Sequence, residues 1–135
     1  MLPSFTFHSA GSLIFGRDSV ERLGEIAGRL KAGRILIVTD PILVKAGLVE
    51  RALAPLNAGG VTCEVFAGCV PEPPVEVVRA GVAAARTFRP DAVLGLGGGS
   101  NMDAAKLIGL RMPNAFSLII VIRVPGLCSA LPGQW

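Results

Sequence analysis

The sequence has few of the residues that build metal centres and disulfide frameworks. Among its 135 residues there is one histidine, His8, and there are three cysteines, Cys63, Cys69 and Cys128. The cysteines are odd in number and no two form a CxxC pair, so neither a disulfide framework nor a zinc site is indicated. Unpaired cysteines are typical of a reducing compartment, which predicts a cytoplasmic protein.

Charged and aromatic side chains are also scarce, at 17% and 5% of the residues. The formal net charge of +3 comes from 13 basic and 10 acidic residues that are scattered singly, without a run of lysine or arginine. Domains that bind nucleic acids normally concentrate basic charge on one face. The sequence therefore predicts no nucleic-acid partner.

No long hydrophobic run is present. The most apolar stretch, Ala115 to Ile122, is eight residues long and is followed by Arg123, whereas a helix needs about twenty apolar residues to cross a bilayer. The first sixteen residues contain neither lysine nor arginine, and they lack the apolar stretch of a signal peptide. We therefore expect no membrane partner and no secretion, and we interpret the apolar stretch as a buried strand.

What the sequence does contain is an alternation of short β-branched runs with longer helical stretches. The near-continuous apolar runs indicate strands that are buried on both faces, as parallel sheets require. The pattern predicts a single α/β domain with a doubly wound, mostly parallel sheet. The predicted strands are Ile35 to Thr39, Thr62 to Phe66, Ala92 to Leu96 and Leu118 to Ile122, preceded by a short edge strand near Ser12 to Phe15.

Helix signals lie between these strands. Asp18 and Glu21 have the spacing of a capping box at the start of a first helix, which Gly33 would end. Pro41 stands where the first turn of a helix tolerates proline, and Val75 to Phe88 is a further helical stretch. Because parallel strands point their carboxyl ends to one edge of the sheet, the loops that follow the four main strands are expected to share one ligand crevice.

The third of these strands leads into three consecutive glycines, Gly97 to Gly99, followed by Ser100. Without Cβ atoms the glycines let a ligand approach the backbone, and their amides can converge on a pyrophosphate at the positive end of the next helix. The loop is not a Rossmann GxGxxG fingerprint, since Ser100 stands where the third glycine would fall, and it is not a P-loop. The alternative is a plain turn in which Ser100 caps the helix and Asp103 completes a capping box.

Two acidic residues are candidates for binding the rest of a dinucleotide. Asp103 shares a helix face with Lys106, so it forms either a weak surface pair or a hydrogen bond to substrate or to the nicotinamide ribose. Asp40 ends the first main strand, where a carboxylate can bind the hydroxyls of an adenosine ribose and repel a 2′-phosphate. Such a role favours NAD over NADP, but the position also fits a plain helix N-cap before Pro41.

With these residues in place, the sequence resembles the iron-containing (group III) alcohol dehydrogenases, relatives of glycerol dehydrogenase and dehydroquinate synthase. The most specific motif is the stretch GGGSNMDAAK from Gly97 to Lys106. Three weaker motifs precede it in order: Phe15-Gly16, Val38-Thr39-Asp40 and Val70-Pro71-Glu72-Pro73. The resemblance implies the N-terminal, Rossmann-like domain of an NAD(P)-dependent oxidoreductase that interconverts small alcohols with aldehydes or ketones.

The resemblance also implies roles for particular residues. Asp40 would select NAD, and Asp103 would face the nicotinamide and the substrate as the one candidate catalytic residue. Glu72 stands where the family often has asparagine, so no substrate contact is carried over to it. The pyrophosphate would be bound by Gly97, Gly98, Gly99 and Ser100.

In this family iron or zinc is held by an aspartate and three histidines of a helical second domain, where the metal polarises the substrate oxygen. No such ligand set is found in this sequence, and His8 is interpreted as structural. We expect residues 1–122 to form the NAD(P)-binding domain and residues 123–135 to be an aberrant tail. The prediction is a truncated enzyme that is limited to dinucleotide binding and exposes apolar surface for self-association. The alternative is a stand-alone nucleotide- or phosphate-binding module without catalysis.

Overall fold

The structure is a computed structural model that describes residue 14, residues 17–113 and residues 116–120, the last group by its backbone alone. Most of the expected edge strand (Ser12, Leu13 and Phe15), His8 and the expected tail lie outside the described residues. Within the described part, one parallel sheet carries helices on both faces. The predicted doubly wound α/β fold is therefore confirmed.

Four strands form this sheet in the order β2-β1-β3-β4, and each neighbouring pair is parallel. Strands β2 and β3 have the predicted bounds, and β1 begins and ends one residue earlier than predicted. Strand β4 already pairs with β3 at residue 116, two residues before its predicted start, and its predicted last two residues, 121 and 122, lie outside the described residues. The strands are β1 (Arg34–Val38), β2 (Thr62–Phe66), β3 (Ala92–Leu96) and β4 (Phe116–Ile120).

Helices fill the connections between the strands. A 3-10 turn (Ser19–Arg22) leads into α1 (Leu23–Arg29), and the other helices are α2 (Pro41–Lys45), α3 (Leu48–Ala58), α4 (Val75–Phe88) and α5 (Gly99–Gly109). Pro41 begins α2, and α4 has the predicted bounds. Among the helices in the described part of the chain, none combines the length and the apolar character needed to span a bilayer.

Alternate side chains of the strands enter two separate cores. Ile35 and Ile37 of β1 pack with α1 and α3 on one face of the sheet. Leu36 and Val38 of the same strand pack with α4 and α5 on the other face. All four side chains are fully buried, and each such burial contributes about 1.5 to 3 kcal/mol relative to exposure. The continuous apolar run of β1 thus follows from a sheet that is covered on both faces.

The capping box predicted from Asp18 and Glu21 is wrong. Asp18 does precede the 3-10 turn, but its backbone is left-handed, with a φ of 57°, and its side chain makes no capping hydrogen bond. An N-cap residue normally needs an extended backbone to aim its oxygen at the first-turn amides. The carboxylate of Asp18 instead accepts a hydrogen bond from Nη2 of Arg51 in α3, at 3.0 Å. Residue spacing alone does not reveal this backbone conformation.

Candidate functional site

The strand order places a topological switch point between β1 and β3. The chain leaves β1 toward β2 on one side, then crosses back to β3 and continues outward to β4. Doubly wound sheets bind ligands outside the carboxyl ends of the two strands that flank such a point. Thr39 follows β1 and Gly97 follows β3, so both loops reach this edge, as predicted. The loop expected after Ile122 lies outside the described residues.

Gly97 is required by the folded chain itself. Its φ of +133° is a backbone conformation that other residues rarely adopt. A Cβ at this position would also collide with the side-chain amide of Asn101 and would lie 2.6 Å from Cδ1 of Leu43. Both the backbone angle and the packing therefore demand glycine here, whether or not a ligand binds.

Gly98 and Gly99 differ from Gly97 because no contact among the described residues requires them to be glycine. Apart from the adjoining backbone, a Cβ on either residue would meet no atom of the described residues within 4 Å, and neither has a positive φ. Their missing side chains therefore leave open space directly outside the backbone. This is the arrangement that lets a phosphate group approach backbone amides closely.

Helix α5 begins in this open space. Gly98 is its N-cap and Gly99 its first residue, so the alternative in which Ser100 caps the helix and Asp103 completes a capping box is wrong. Gly98 has no side chain to accept from the first-turn amides, and no side-chain cap is formed. Because the free amides of a helix start carry partial positive charge, the beginning of α5 is suited to an anion. Ser100 lies in that first turn, next to the glycines.

Asp40 occupies the end of β1 and caps the neighbouring helix α2. Its Oδ1 accepts hydrogen bonds from the amides of Ile42 at 2.9 Å and Leu43 at 3.0 Å, which confirms the predicted N-cap. Its Oδ2 accepts a third hydrogen bond, from Nδ2 of Asn101, at 2.7 Å. A carboxylate has about four acceptor positions, so Asp40, which is only half-buried, still has capacity for a ligand hydroxyl.

Asn101 is the site residue that the sequence analysis missed. It is 3% exposed, and its Nδ2 donates both to Asp40 and to the carbonyl of Leu96, the latter at 2.9 Å. Oγ1 of Thr39 donates to the same carbonyl at 3.0 Å. One signal was available in the sequence, since Asn101 is a polar residue that begins the otherwise apolar stripe of α5. That stripe continues with Ala104, Ala105 and Ile108.

Asp103 lies on the outer face of α5. Its Oδ1 is 3.4 Å from Nζ of Lys106, and the two side chains are 69% and 49% exposed. The weak surface pair that the spacing predicted is therefore present, and at this exposure it is worth at most about 0.5 kcal/mol. Its proposed contact with substrate or nicotinamide stays a prediction.

The loop after β2 runs beside the end of β1. The amide of Cys69 donates to the carbonyl of Thr39 at 3.1 Å, and burial, together with the negative charge of Asp40, raises the pKa of the Cys69 thiol to about 11. This thiol therefore stays protonated near neutral pH and is no nucleophile. Farther along, Glu72 has a φ of 48°, a conformation that asparagine tolerates better than glutamate.

The described residues do not fit the metal site of the family that the sequence resembles. Across residues 17–113, no three histidine, cysteine, aspartate or glutamate side chains come together in a way that could hold a metal ion. No catalytic step can therefore be assigned to a metal bound by these residues.

Two shallow grooves lie away from the crevice. One of about 480 Å³ runs along α4, and a second of about 560 Å³ lies at the amino end of β3. The first is lined mainly by valine and arginine, and the second mainly by arginine and proline. Asp91, the acidic residue of the second groove, uses its Oδ2 to accept from the amides of Gly33 and Arg34, each at 2.9 Å. These contacts give Asp91 a structural role, so the crevice between β1 and β3 remains the candidate site.

The fold and the site together define a doubly wound α/β domain with an uncapped helix start at its switch point. The family described as iron-containing alcohol dehydrogenase matches residues 10–130. The chain belongs to this family. The match extends past residue 122, and the division of the chain at that residue stays a prediction.

Proteins of known function agree with this assignment. The chain is 45% identical over 92 residues to long-chain-alcohol dehydrogenase 1 of Geobacillus thermodenitrificans, covering 68% of this chain and 23% of that protein. It is 38% identical over 107 residues to the bifunctional aldehyde-alcohol dehydrogenase of Escherichia coli strain K12, covering 79% and 11%. The chain thus spans about a quarter or less of the length of these two relatives.

Solved structures show the same fold. NADH-dependent butanol dehydrogenase A from Thermotoga maritima superposes with a TM-score of 0.75 at 28% identity, covering 80% of this chain and 27% of that chain. Maleylacetate reductase from Agrobacterium tumefaciens gives a TM-score of 0.76 at 30% identity, covering 90% and 33%. The described fold is therefore shared with larger oxidoreductases.

Proposed function

We propose that this chain is a dinucleotide-binding unit of an iron-containing alcohol dehydrogenase and that it binds NAD(H). The pyrophosphate is bound by the backbone at Gly97, Gly98 and Gly99 and by Ser100, at the start of α5. The adenosine ribose is bound by Asp40. In the complete reaction, bound NAD would supply the hydride acceptor: a small alcohol would lose a hydride to NAD and its hydroxyl proton to a base or to water, which gives an aldehyde or ketone, and the reverse reaction would return both.

The observation that carries this proposal is the open space outside Gly98 and Gly99. The packing of the chain accounts for Gly97 but for neither of its two successors. Two glycines that no internal contact requires, at an uncapped helix start, are explained by a ligand that must approach their backbone. A pyrophosphate has the charge and the size for this position.

Selection of NAD over NADP follows from the charge of Asp40. A ribose with free 2′- and 3′-hydroxyls can donate to the carboxylate, whereas a 2′-phosphate would be repelled by it. The solved relative that is named as NADH-dependent supports this choice. The spare acceptor capacity of Asp40 supports it as well, because a ribose hydroxyl can be bound without breaking the helix cap.

Turnover needs more than this site. We assign Asp103 to the substrate and nicotinamide side, where its exposed carboxylate would accept a hydrogen bond and orient either group. Among the described residues, no three histidine, cysteine, aspartate or glutamate side chains come together as a metal site. We therefore infer that the chain binds the dinucleotide without oxidising alcohols at a substantial rate.

Calorimetric titration of the purified chain with NADH and with NADPH tests the proposal, together with an alcohol oxidation assay in added iron or zinc. We expect saturable binding of NADH, weaker binding of NADPH and no turnover. Absence of NADH binding would contradict the assignment of the glycine loop. Metal-dependent turnover would show that catalytic ligands exist beyond those described above.

A further inference from the structure

A buried chain of hydrogen bonds joins the two halves of the crevice. The carbonyl of Leu96 accepts hydrogen bonds from Oγ1 of Thr39 and from Nδ2 of Asn101. The same Nδ2 also donates to Oδ2 of Asp40. Thr39 is fully buried and Asn101 nearly so. The end of β1, the end of β3 and the first turn of α5 are therefore tied together by side chains rather than by backbone pairing alone.

The chemistry of the amide fixes how Asn101 can act. Both hydrogens of its NH2 group are used, one on a neutral carbonyl and one on a carboxylate. Hydrogen bonds to a charged group are about twice as strong as those between neutral groups. The bond to Asp40 is thus the stronger of the two, and it is the one that crosses from α5 to the neighbouring loop.

The carboxylate of Asp40 is consequently held at both oxygens. The first-turn amides of α2 hold Oδ1, and Asn101 holds Oδ2. Without Asn101, Oδ2 would be free to move around the capped oxygen. An acceptor that is fixed before the ligand arrives loses less conformational freedom on binding.

Gly97 gives independent support to this coupling. A Cβ at residue 97 would collide with the amide of Asn101, so the first glycine of the loop makes room for the side chain that holds Asp40. The glycine loop and the acidic residue therefore form one connected unit, although 61 residues separate Asp40 from Asn101 along the chain.

We propose that Asn101 is a positioning residue for cofactor selection, which acts by holding the Asp40 carboxylate in one orientation toward the ribose of the dinucleotide. The inference rests on the proposed function, because it needs the crevice to bind NAD(H). Asn101 itself need not contact the cofactor. Its contribution is to keep the negative charge where a 2′-phosphate would meet it.

The test compares dissociation constants for NADH and NADPH, by calorimetry on the full chain, in Asn101→Leu and in Asn101→Ala. Asn101→Ala gives the same comparison if leucine cannot be packed at this buried position. Thr39→Val is the matched control, since it removes the other side-chain bond to the Leu96 carbonyl and leaves Asp40 untouched. Asp40→Asn serves as a background, because asparagine retains the helix cap while removing the charge.

We expect the preference for NADH to fall about 3- to 10-fold in the Asn101 variants, which is less than the full value of a hydrogen bond to a charged group because the Asp40 carboxylate stays on its helix cap and loses only one of its two holds. Thr39→Val should lower thermal stability without changing the preference, and the Asn101 effect should vanish in the Asp40→Asn background. Two results overturn the inference about Asn101 while leaving the proposed function intact. One is an unchanged preference in the Asn101 variants, and the other is an Asn101 effect that is as large in the Asp40→Asn background as in the wild type. Failure of the wild-type chain to bind NADH overturns the proposed function, and the inference falls with it.

Discussion

Two helices begin at the same edge of the sheet, and their first turns differ in what fills them. The start of α2 is closed, because the carboxylate of Asp40 accepts from two of its amides. The start of α5 is open, because Gly98 offers no side chain. Both helix starts carry partial positive charge. The partial positive charge at the start of α2 is therefore compensated by a side chain of the protein. The charge at the start of α5 has no such side chain and is available to an external anion.

The two starts are nevertheless connected. Asn101, in the first turn of the open helix, donates to the residue that closes the other one. A single dinucleotide can therefore meet an anion-binding turn and an acidic side chain that are held at a fixed separation. Substitutions at a few positions test this difference between the open and the closed helix start.

The largest effect is expected from Gly97→Ala, which disturbs the backbone before the open start. The positive φ and the collision with Asn101 together should lower the free energy of unfolding by about 2 to 4 kcal/mol. Gly98→Ala is the matched control, because its Cβ meets no neighbouring atom, and it should change stability by less than about 0.5 kcal/mol. Chemical denaturation measures both, and equal losses would contradict the distinction between the two glycines.

Gly98→Asp converts the open start into a closed one. Gly98 has an extended backbone, with φ −86° and ψ −167°, so an aspartate there can cap α5 as Asp40 caps α2. We expect NADH affinity to fall at least about tenfold, because the new charge occupies the amides and repels the pyrophosphate. Thermal stability should not fall. Gly98→Asn supplies a neutral cap for comparison, and NADH binding of wild-type strength in Gly98→Asp would refute the role of this helix start.

Asp40→Ala performs the opposite change and opens the start of α2. Loss of the cap, together with loss of the acceptor for the buried amide of Asn101, should lower the free energy of unfolding by about 2 to 3 kcal/mol. Asp40→Asn keeps a capping oxygen but loses the oxygen that faces Asn101, so it should lose less than alanine by about the value of the cap. The two variants are compared by urea denaturation. If asparagine costs as much as alanine, the stabilisation comes from the charge and its bond to Asn101 rather than from the cap.

Asp103→Asn should have the smallest effect. Its pair with Lys106 is exposed on both sides, so the free energy of unfolding should change by no more than about 0.5 kcal/mol. Denaturation of this variant beside Lys106→Gln gives the comparison, since the two should agree. A loss well above 1 kcal/mol would mean that Asp103 has a structural partner in addition to lysine.

The sequence predicted those parts of the molecule that depend on local patterns. The strands could be located because their apolar runs are buried on both faces, and the N-cap that was one of the two interpretations of Asp40 is present because Pro41 follows it. The capping box predicted at Asp18 was wrong, and so was the alternative in which Ser100 caps a helix, since spacing does not determine backbone angles. Asn101 was missed for a different reason. Its partner Asp40 lies far away along the chain, and only the strand order β2-β1-β3-β4 brings the two residues together.

The central claim is that the open start of α5 binds the pyrophosphate of a dinucleotide. It is tested most directly by following the backbone amide resonances of the ¹⁵N-labelled chain during titration with NADH. The account predicts saturable shifts that are largest for Gly98, Gly99 and Ser100, with smaller shifts for the capped amides of Ile42 and Leu43. Saturable shifts centred elsewhere, or no shift at the glycines, would contradict it.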